Sequence, residues 1–395
     1  MLVLTWTWAL VRRRPSRIFA AAAGVALAVA VLGSLGSFLA TAKDEMTRRA
    51  VRQVPVDWQV EVQPGASVGD VMAAVQRRHD VRVAQPVGFG SATSFDTTTG
   101  GTTQTAGHGL VLGLPPGYQS SFPGEVRMLA GRAEGVLVAQ QTAATLHAGP
   151  GDTITIGRAW MDPASVHVDG VVDLPAANSL FQKVGAPPGA QPQAPPDDIV
   201  LVPAEQWHAL FDAVADRPDL ARTQIHVRLD HRLPPDPAAA FSSDTGAAHR
   251  LEADLAGAAL VGDNLGATLD AARSDALYAE VLFIVLGLPG AVLAALLTGA
   301  VSTASRDARR RELALLRTRG ASQAQLQRVV AAEAVTVGTA GAAAGIVVAG
   351  VVGRTVFGSS TFGATPTSTL TWALASIAVG LAVTVVAVAL PARRD

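Results

Sequence analysis

Eight histidines are scattered through the chain, and His226, Asp230 and His231 form the tightest grouping able to bind a metal or move a proton. Their five-residue spacing at the end of a strand-like segment fits no ligand pattern, and no H-E-x-x-H stretch occurs. We read these histidines as surface or loop side chains. The serines and threonines between Ser91 and Thr105 lack a G-x-S-x-G elbow, so they read as loop composition rather than as nucleophiles. Neither lysine, Lys43 nor Lys183, closes a G-x-x-x-x-G-K-[ST] loop, so an ATPase phosphate loop is excluded. With no cysteine, disulfide, thiolate and thiol redox chemistry are excluded too. We expect no metal site and no catalytic residue.

The most informative spacing lies elsewhere, from Arg309 to Gly345. Glu312 to Arg319 consists of helix formers, with Leu313 and Leu316 on one side and arginines on the others, which suits an exposed helix with one narrow apolar contact stripe. Gly320 stands where a helix terminates at positive φ. Ser322, followed three residues later by Gln325, fits a capping box opening the next helix. That helix continues into an apolar run ending near Val352, so a push on the turn would travel along a rigid rod. Within the run, Gly338, Gly341 and Gly345 share roughly one face and permit close helix contact. Glu333 is the run's single ionisable group; it can snorkel or pair with a loop arginine, or find a buried partner in a bundle.

Four runs are long enough to cross about 30 Å of hydrocarbon: Ile18 to Leu39, Val281 to Val301, Val329 to Val352 and Leu370 to Leu390. Arginines 12, 13, 14 and 17 precede the first, seven lie between Arg306 and Arg328, and Arg393 and Arg394 follow the last. By the positive-inside rule both termini and the arginine-rich loop are cytoplasmic. The net charge of −1 averages over this segregation and carries no information. Ala40-Thr41-Ala42 resembles a signal-peptide cleavage site, but the uncharged run ahead of it exceeds the usual core of about 7 to 15 residues, and we read an uncleaved anchor. Trp6 and Trp8 suit an interfacial segment at the inner leaflet. The arginines flank membrane spans and form no nucleic-acid patch.

The expected organisation is an interfacial N-terminus (1–17), spans at 18–41, 278–304, 329–352 and 370–390, a cytoplasmic loop at 305–328, an external loop at 353–369 and a cytoplasmic tail at 391–395. Residues 42–277 form a large extracytoplasmic α+β domain between the first two spans. Strands are expected at Asp57 to Gln63, Val81 to Val87, Leu110 to Leu114, Val136 to Ala139, Thr153 to Ile156, Val166 to Val172, Ile199 to Val202 and Ile225 to Leu229. Helices are expected after a Ser67 cap, at Gln141 to His147 and at Ala204 to Phe211. Phe89 to Gly107 and Gly185 to Asp198 read as mobile surface loops. From Ala247 to Tyr278 the pattern is helical, with Leu265, Leu269, Ala272 and Ala276 on one face of a stalk; Gly257, Gly262 and Gly266 count against its continuity.

Glu312, Leu315, Arg317, Gly320-Ala321-Ser322, Gln325, Glu333, Gly338, Gly341 and Gly345 together resemble the signature of FtsX-like permeases. In the outer region, Leu129-Ala130-Gly131-Arg132, Gly135 to Ala139, Gly151 to Ile156 and Val168 to Val172 resemble, in that order, the MacB-like periplasmic core domain. The resemblance implies a transmembrane subunit of an ABC system. Its partners would be a cytoplasmic ATPase holding ATP and magnesium, a second permease chain, identical or not, and membrane lipids. It assigns the ATPase contact to Glu312, Leu313, Leu316, Arg317, Gly320, Ala321, Ser322 and Gln325. Cargo of such a system would be a lipid, lipoprotein, peptide or drug. The alternative within the family is a non-transporting regulator whose outer domain activates a cell-wall hydrolase.

Overall fold

The computed structural model describes residues 15–99, 101–185, 194–304, 315, 318, 320–358 and 366–384. Helix α1 (Pro15–Arg52) is followed by strand β1 (Trp58–Val62), helix α2 (Val68–Gln76), and strands β2 (Val81–Ala92), β3 (Ser94–Thr99), β4 (Thr102–Ala106), β5 (Gly109–Leu114), β6 (Arg127–Gly131) and β7 (Leu137–Ala139). Helix α3 (Gln140–Leu146) precedes β8 (Thr153–Arg158), β9 (Met161–His167), β10 (Gly170–Asp173) and β11 (Asp198–Pro203). Then come helix α4 (Ala204–Phe211), β12 (Ala221–Leu229), helix α5 (Pro237–Asp254), β13 (Ala259–Asp263) and helices α6 (Asn264–Ala304), α7 (Gln323–Val356) and α8 (Pro366–Thr384). Two compact units emerge: Arg49–Leu233 with Ala238–Ala271, and Met1–Arg48 with Pro234–Pro237 and Ala272–Asp395.

The first unit is α+β. Its larger sheet has nine strands in the order β13-β1-β12-β2-β5-β11-β7-β10-β6, and its smaller sheet has four in the order β4-β3-β8-β9. The larger sheet is mixed: β5 with β11 and β7 with β10 run parallel, while β1 pairs antiparallel with both β12 and β13. Alternation along the strands separates two cores. Val111, Val138, Val200 and Val202 pack with Phe95, Leu146, Ile154, Ile156, Trp207 and Phe211; on the other side Leu112, Leu137, Ile199 and Leu201 pack with Val87, Phe89, Tyr118 and Phe122. Because both faces are covered, β11 reads as an uninterrupted Ile-Val-Leu-Val run rather than an alternating one. Helix α4 seats its aromatic stripe on glycines of the sheet. A Cβ at Gly90 would come within 2.5 Å of the Phe211 ring, and one at Gly88 would enter the Trp207 indole.

In the second unit, α1 and α7 contain stretches long and apolar enough to cross a membrane, Phe19–Arg52 and Gln323–Val356, and α8 contains a shorter apolar stretch, Thr369–Ala382. Val25 and Val29 of α1, Ala342 and Ile346 of α7 and Ile377 of α8 form one apolar cluster. Phe38 of α1 stacks tilted on Phe283 of α6 at a centroid distance of 4.5 Å and edge-on to Phe357 at 5.2 Å.

Three expectations for the outer region change. Phe89 to Gly107 is not a loop: it completes β2 and supplies β3 and β4, with Phe95 fully buried, because Thr98, Thr103 and Thr105 cover one face of a sheet whose other face, with Thr97, is core. Val166 to Val172 is not one strand but the end of β9 in the small sheet and β10 in the large one. The helical stretch from Ala247 to Tyr278 is broken. Ala256 and Gly257 take positive φ, 48° and 88°, and the chain adds β13 to the sheet edge before α6 begins. Of the second expected loop, residues 186–193 lie outside the described residues, and Asp198 opens β11.

Candidate functional site

The turn ahead of α7 has the geometry its spacing implies. Gly320 has φ 85°, and a side chain added there would meet nothing within 4 Å, so the backbone angle alone calls for glycine. Ser322 is the N-cap of α7. Its Oγ accepts the Gln325 N–H at 3.3 Å, and Gln325 Oε1 accepts the Ser322 N–H at 3.0 Å. Two of the free N–H groups at this helix end are thereby satisfied by side chains. Ala321 is half-buried, Leu326 is buried just inside the helix, and Leu315 is exposed. Glu312, Leu313, Leu316 and Arg317 lie outside the described residues.

Behind that turn, Gly338, Gly341 and Gly345 are buried on one face of α7. A Cβ at Gly341 would stand 2.7 Å from Val25 Cβ and 2.8 Å from the Ala22 carbonyl; one at Gly345 would stand 2.6 Å from Val29 Cβ and 2.7 Å from the Ala26 carbonyl. The glycine face therefore seats α1 of the same chain, with its valine side chains and two of its carbonyls directly against the α7 backbone. Gly380 of α8 approaches Val29 as well, at 2.8 Å for its added Cβ. Glu333 is half-buried on α7 ahead of this contact. In the same unit Lys43 of α1 binds Glu280 of α6 at 2.9 Å and Asp236 at 3.3 Å, while Thr47 Oγ1 donates to the Pro235 carbonyl at 3.0 Å.

Within the first unit the chain end that follows α1 caps α6. The Asp57 carbonyl accepts the N–H groups of Asn264 at 3.0 Å and Leu265 at 3.2 Å, and Asn264 Nδ2 donates to the Val56 carbonyl at 3.1 Å. The sequence reading missed this cap, because it needs β1 and β13 to be neighbours.

The histidines divide. His226 is not a surface residue: it is fully buried on β12 and shares a 2.7 Å hydrogen bond through Nδ1 with the Tyr118 hydroxyl. Burial pushes His226 down to about 3, so it is neutral at any ordinary pH. Nearby Glu125 has no exposed surface and no hydrogen-bond partner on either oxygen, and burial pushes it up to about 8. Burial, then the Glu125 charge, also raises Tyr118. His231 is a loop residue with φ 55°, and its Nε2 lies 2.7 Å from Asp57 Oδ2. Among the described residues no group of three or more His, Asp or Glu could hold a metal ion. The Tyr118–His226 pair lies in the core against Phe89 and Phe122.

Sequence comparison matches residues 18–240 to the MacB-like periplasmic core domain and residues 284–394 to the FtsX-like permease C-terminal domain. No curated protein matches the chain. Among solved structures, the periplasmic region of MacB from Actinobacillus actinomycetemcomitans is 10% identical with a TM-score of 0.32, covering 54% of this chain and 92% of its own. A domain described as belonging to a permease protein from Porphyromonas gingivalis is 15% identical with a TM-score of 0.30, covering 52% and 89%. At these scores neither likeness bears on function.

Proposed function

The chain belongs to the FtsX-like permease family and carries a MacB-like periplasmic core domain, and from that premise we propose that it is the membrane subunit of an ABC system, coupling ATP hydrolysis in a separate cytoplasmic ATPase to motion of its outer domain. The family is a membrane component and not itself an enzyme, so nucleotide and magnesium belong to the partner. The chain crosses the membrane four times with both termini in the cytoplasm. Its cytoplasmic segment Glu312 to Gln325 receives the ATPase, with Leu313 and Leu316 as the apolar contacts and Arg317 as a further contact. Cargo is a lipid, lipoprotein, peptide or drug moved outside the bilayer.

The observation that carries this reading is the pairing of Gly320 at φ 85° with the Ser322–Gln325 capping box at the head of a 34-residue helix. A turn whose backbone angle and both cap bonds are specified changes shape at a cost, so displacement at its exposed side is passed into α7 rather than absorbed. Glycine contacts at Gly341 and Gly345 seat Val25 and Val29 of α1 directly on the α7 backbone, which supports movement of the two helices as one body. A second permease chain completes the subunit pair; since the glycine face is already filled by α1, that partner meets a different surface.

Gly320→Pro and Leu316→Asp test the reading. Proline holds φ near −65° and cannot follow the glycine, while aspartate places a charge where a leucine would be buried. Both variants should insert normally and yet lose copurification with the ATPase or the dependence of ATP hydrolysis on the outer domain. Unchanged binding and unchanged coupling in nanodiscs would overturn the assignment.

A further inference from the structure

Helix α5 turns an apolar face to the core through Ala240, Ala247, Ala248 and Leu251, and Asp244 lies on that same face, 2% exposed. No hydrogen-bond donor reaches either of its carboxyl oxygens. What faces it instead is another carboxyl group, that of Asp263 at the end of β13. Asp263 Oδ1 already accepts the Gly266 N–H at 2.6 Å, in the first turn of α6. Two acceptors that meet in a buried space with no donor between them repel, and a single proton removes the repulsion and supplies the missing donor.

The surroundings leave that proton as the available remedy. Asp57, fully buried at the start of β1, is a third acid in the cluster. Its Oδ2 is held by the Leu229 N–H and by His231 Nε2, both at 2.7 Å, while its Oδ1 has no donor. From β1 the Trp58 indole also faces Asp244, and from α5 the exposed His249 acts on Asp263. The N-terminal end of α6 favours an ionised Asp263. Asp244 has only the Trp58 indole N–H turned toward it, and that group falls short of hydrogen-bond geometry, so Asp244 is the partner that keeps the hydrogen.

We propose that Asp244 and Asp263 form a proton-sharing latch that holds α5 to the head of α6 and opens when the shared proton leaves. The device lies outside the coupling turn and does not depend on the transport reading. Its setting is consistent with the titration: burial first, then the Asp263 charge, pushes Asp244 up to about 9. The latch is closed at neutral pH and opens under alkaline conditions.

Two measurements on the full chain in nanodiscs test it. In a Glu125→Gln background, which removes the other buried carboxyl raised by burial, infrared difference spectra should contain a protonated-carboxyl band at neutral pH that disappears on alkalinisation and is missing when Asp244→Asn is added. Amide hydrogen exchange across α5, corrected for intrinsic rates, should accelerate about tenfold or more above the Asp244 titration in the wild type. It should stay slow in Asp244→Asn, whose carboxamide donates to Asp263 at every pH. Asp263→Asn keeps a helix cap but removes the facing charge, so the midpoint of the α5 transition should move down; this variant decides the matter if Asp244→Asn fails to fold. Equal pH profiles in wild type and Asp244→Asn, or an unmoved midpoint in Asp263→Asn, would overturn the latch.

Discussion

The backbone carbonyl of Asp57 accepts the N–H of Asn264 at 3.0 Å, so a residue just beyond the first long helix closes the open end of the helix that leads back to the second. The Asn264 side chain reinforces the tie by donating to the Val56 carbonyl at 3.1 Å in a buried site. Both ends of the outer domain's chain thus meet at one hydrogen-bonded junction.

Asn264→Ala removes the side-chain half of that junction and leaves the Val56 carbonyl without its donor. The cost of an unsatisfied buried group is about 1–3 kcal/mol. Chemical denaturation of the full chain should register a loss in that range; a loss below a few tenths would mean that water repairs the gap.

Gly88→Ala should destabilise the outer domain by about 1–3 kcal/mol, because its methyl group would have to share space with Trp207 in a closely packed core. Trp207→Leu should lower stability on its own yet make Gly88→Ala nearly harmless. Additive effects in the double mutant would show that the ring is not what the methyl group meets.

At the membrane, Gly341→Val should separate α7 from α1, since its first added carbon would already lie 2.7 Å from Val25 Cβ. Gly350→Val is the control: no atom lies within 4 Å of a Cβ there. Thermal stability in detergent should fall for the first substitution and hold for the second. A matching fall in both would point to helix propensity rather than contact.

Glu125 makes the outer domain's stability depend on pH. Burial raises its carboxyl from 4.5 to about 8. Below 4.5 both folded and unfolded chains hold the proton, and the group's favourable contribution is complete. Between the two values the folded chain holds a proton that the unfolded chain has released, so stability falls as pH rises and levels off above about 8. Glu125→Gln should flatten that part of the unfolding profile; an unchanged slope would assign it to another group.

Topology has a direct test as well. Thr103 and Gln323 are both exposed on the protein surface. With cysteine at either position, an impermeant thiol reagent applied to intact cells should label Thr103→Cys and spare Gln323→Cys. Labelling of the second would reverse the orientation drawn from the arginines.

Local signals in the sequence determined the features that short-range physics controls. Ser322 and Gln325 stand three apart, and a glycine precedes them, so the cap and the positive φ follow from the chain alone. Long apolar runs mark α1 and α7, and strand alternation located most of the large sheet. Tertiary structure decided what those elements touch. Gly341 and Gly345 announced a close contact without naming α1 as its owner. The threonines of β3 and β4 looked like loop composition, because a polar sheet face is recognised only once Phe95 is seen in the core beneath it. Asp244 was detectable as an acid on an apolar helix face, but its partner Asp263 lies across a turn and a strand that broke the expected helix. His226 became a buried neutral ring only when Tyr118 was brought to 2.7 Å from it. Periodicity reports the direction a side chain faces; the partner it meets depends on strand order and helix packing, which join residues more than a hundred positions apart.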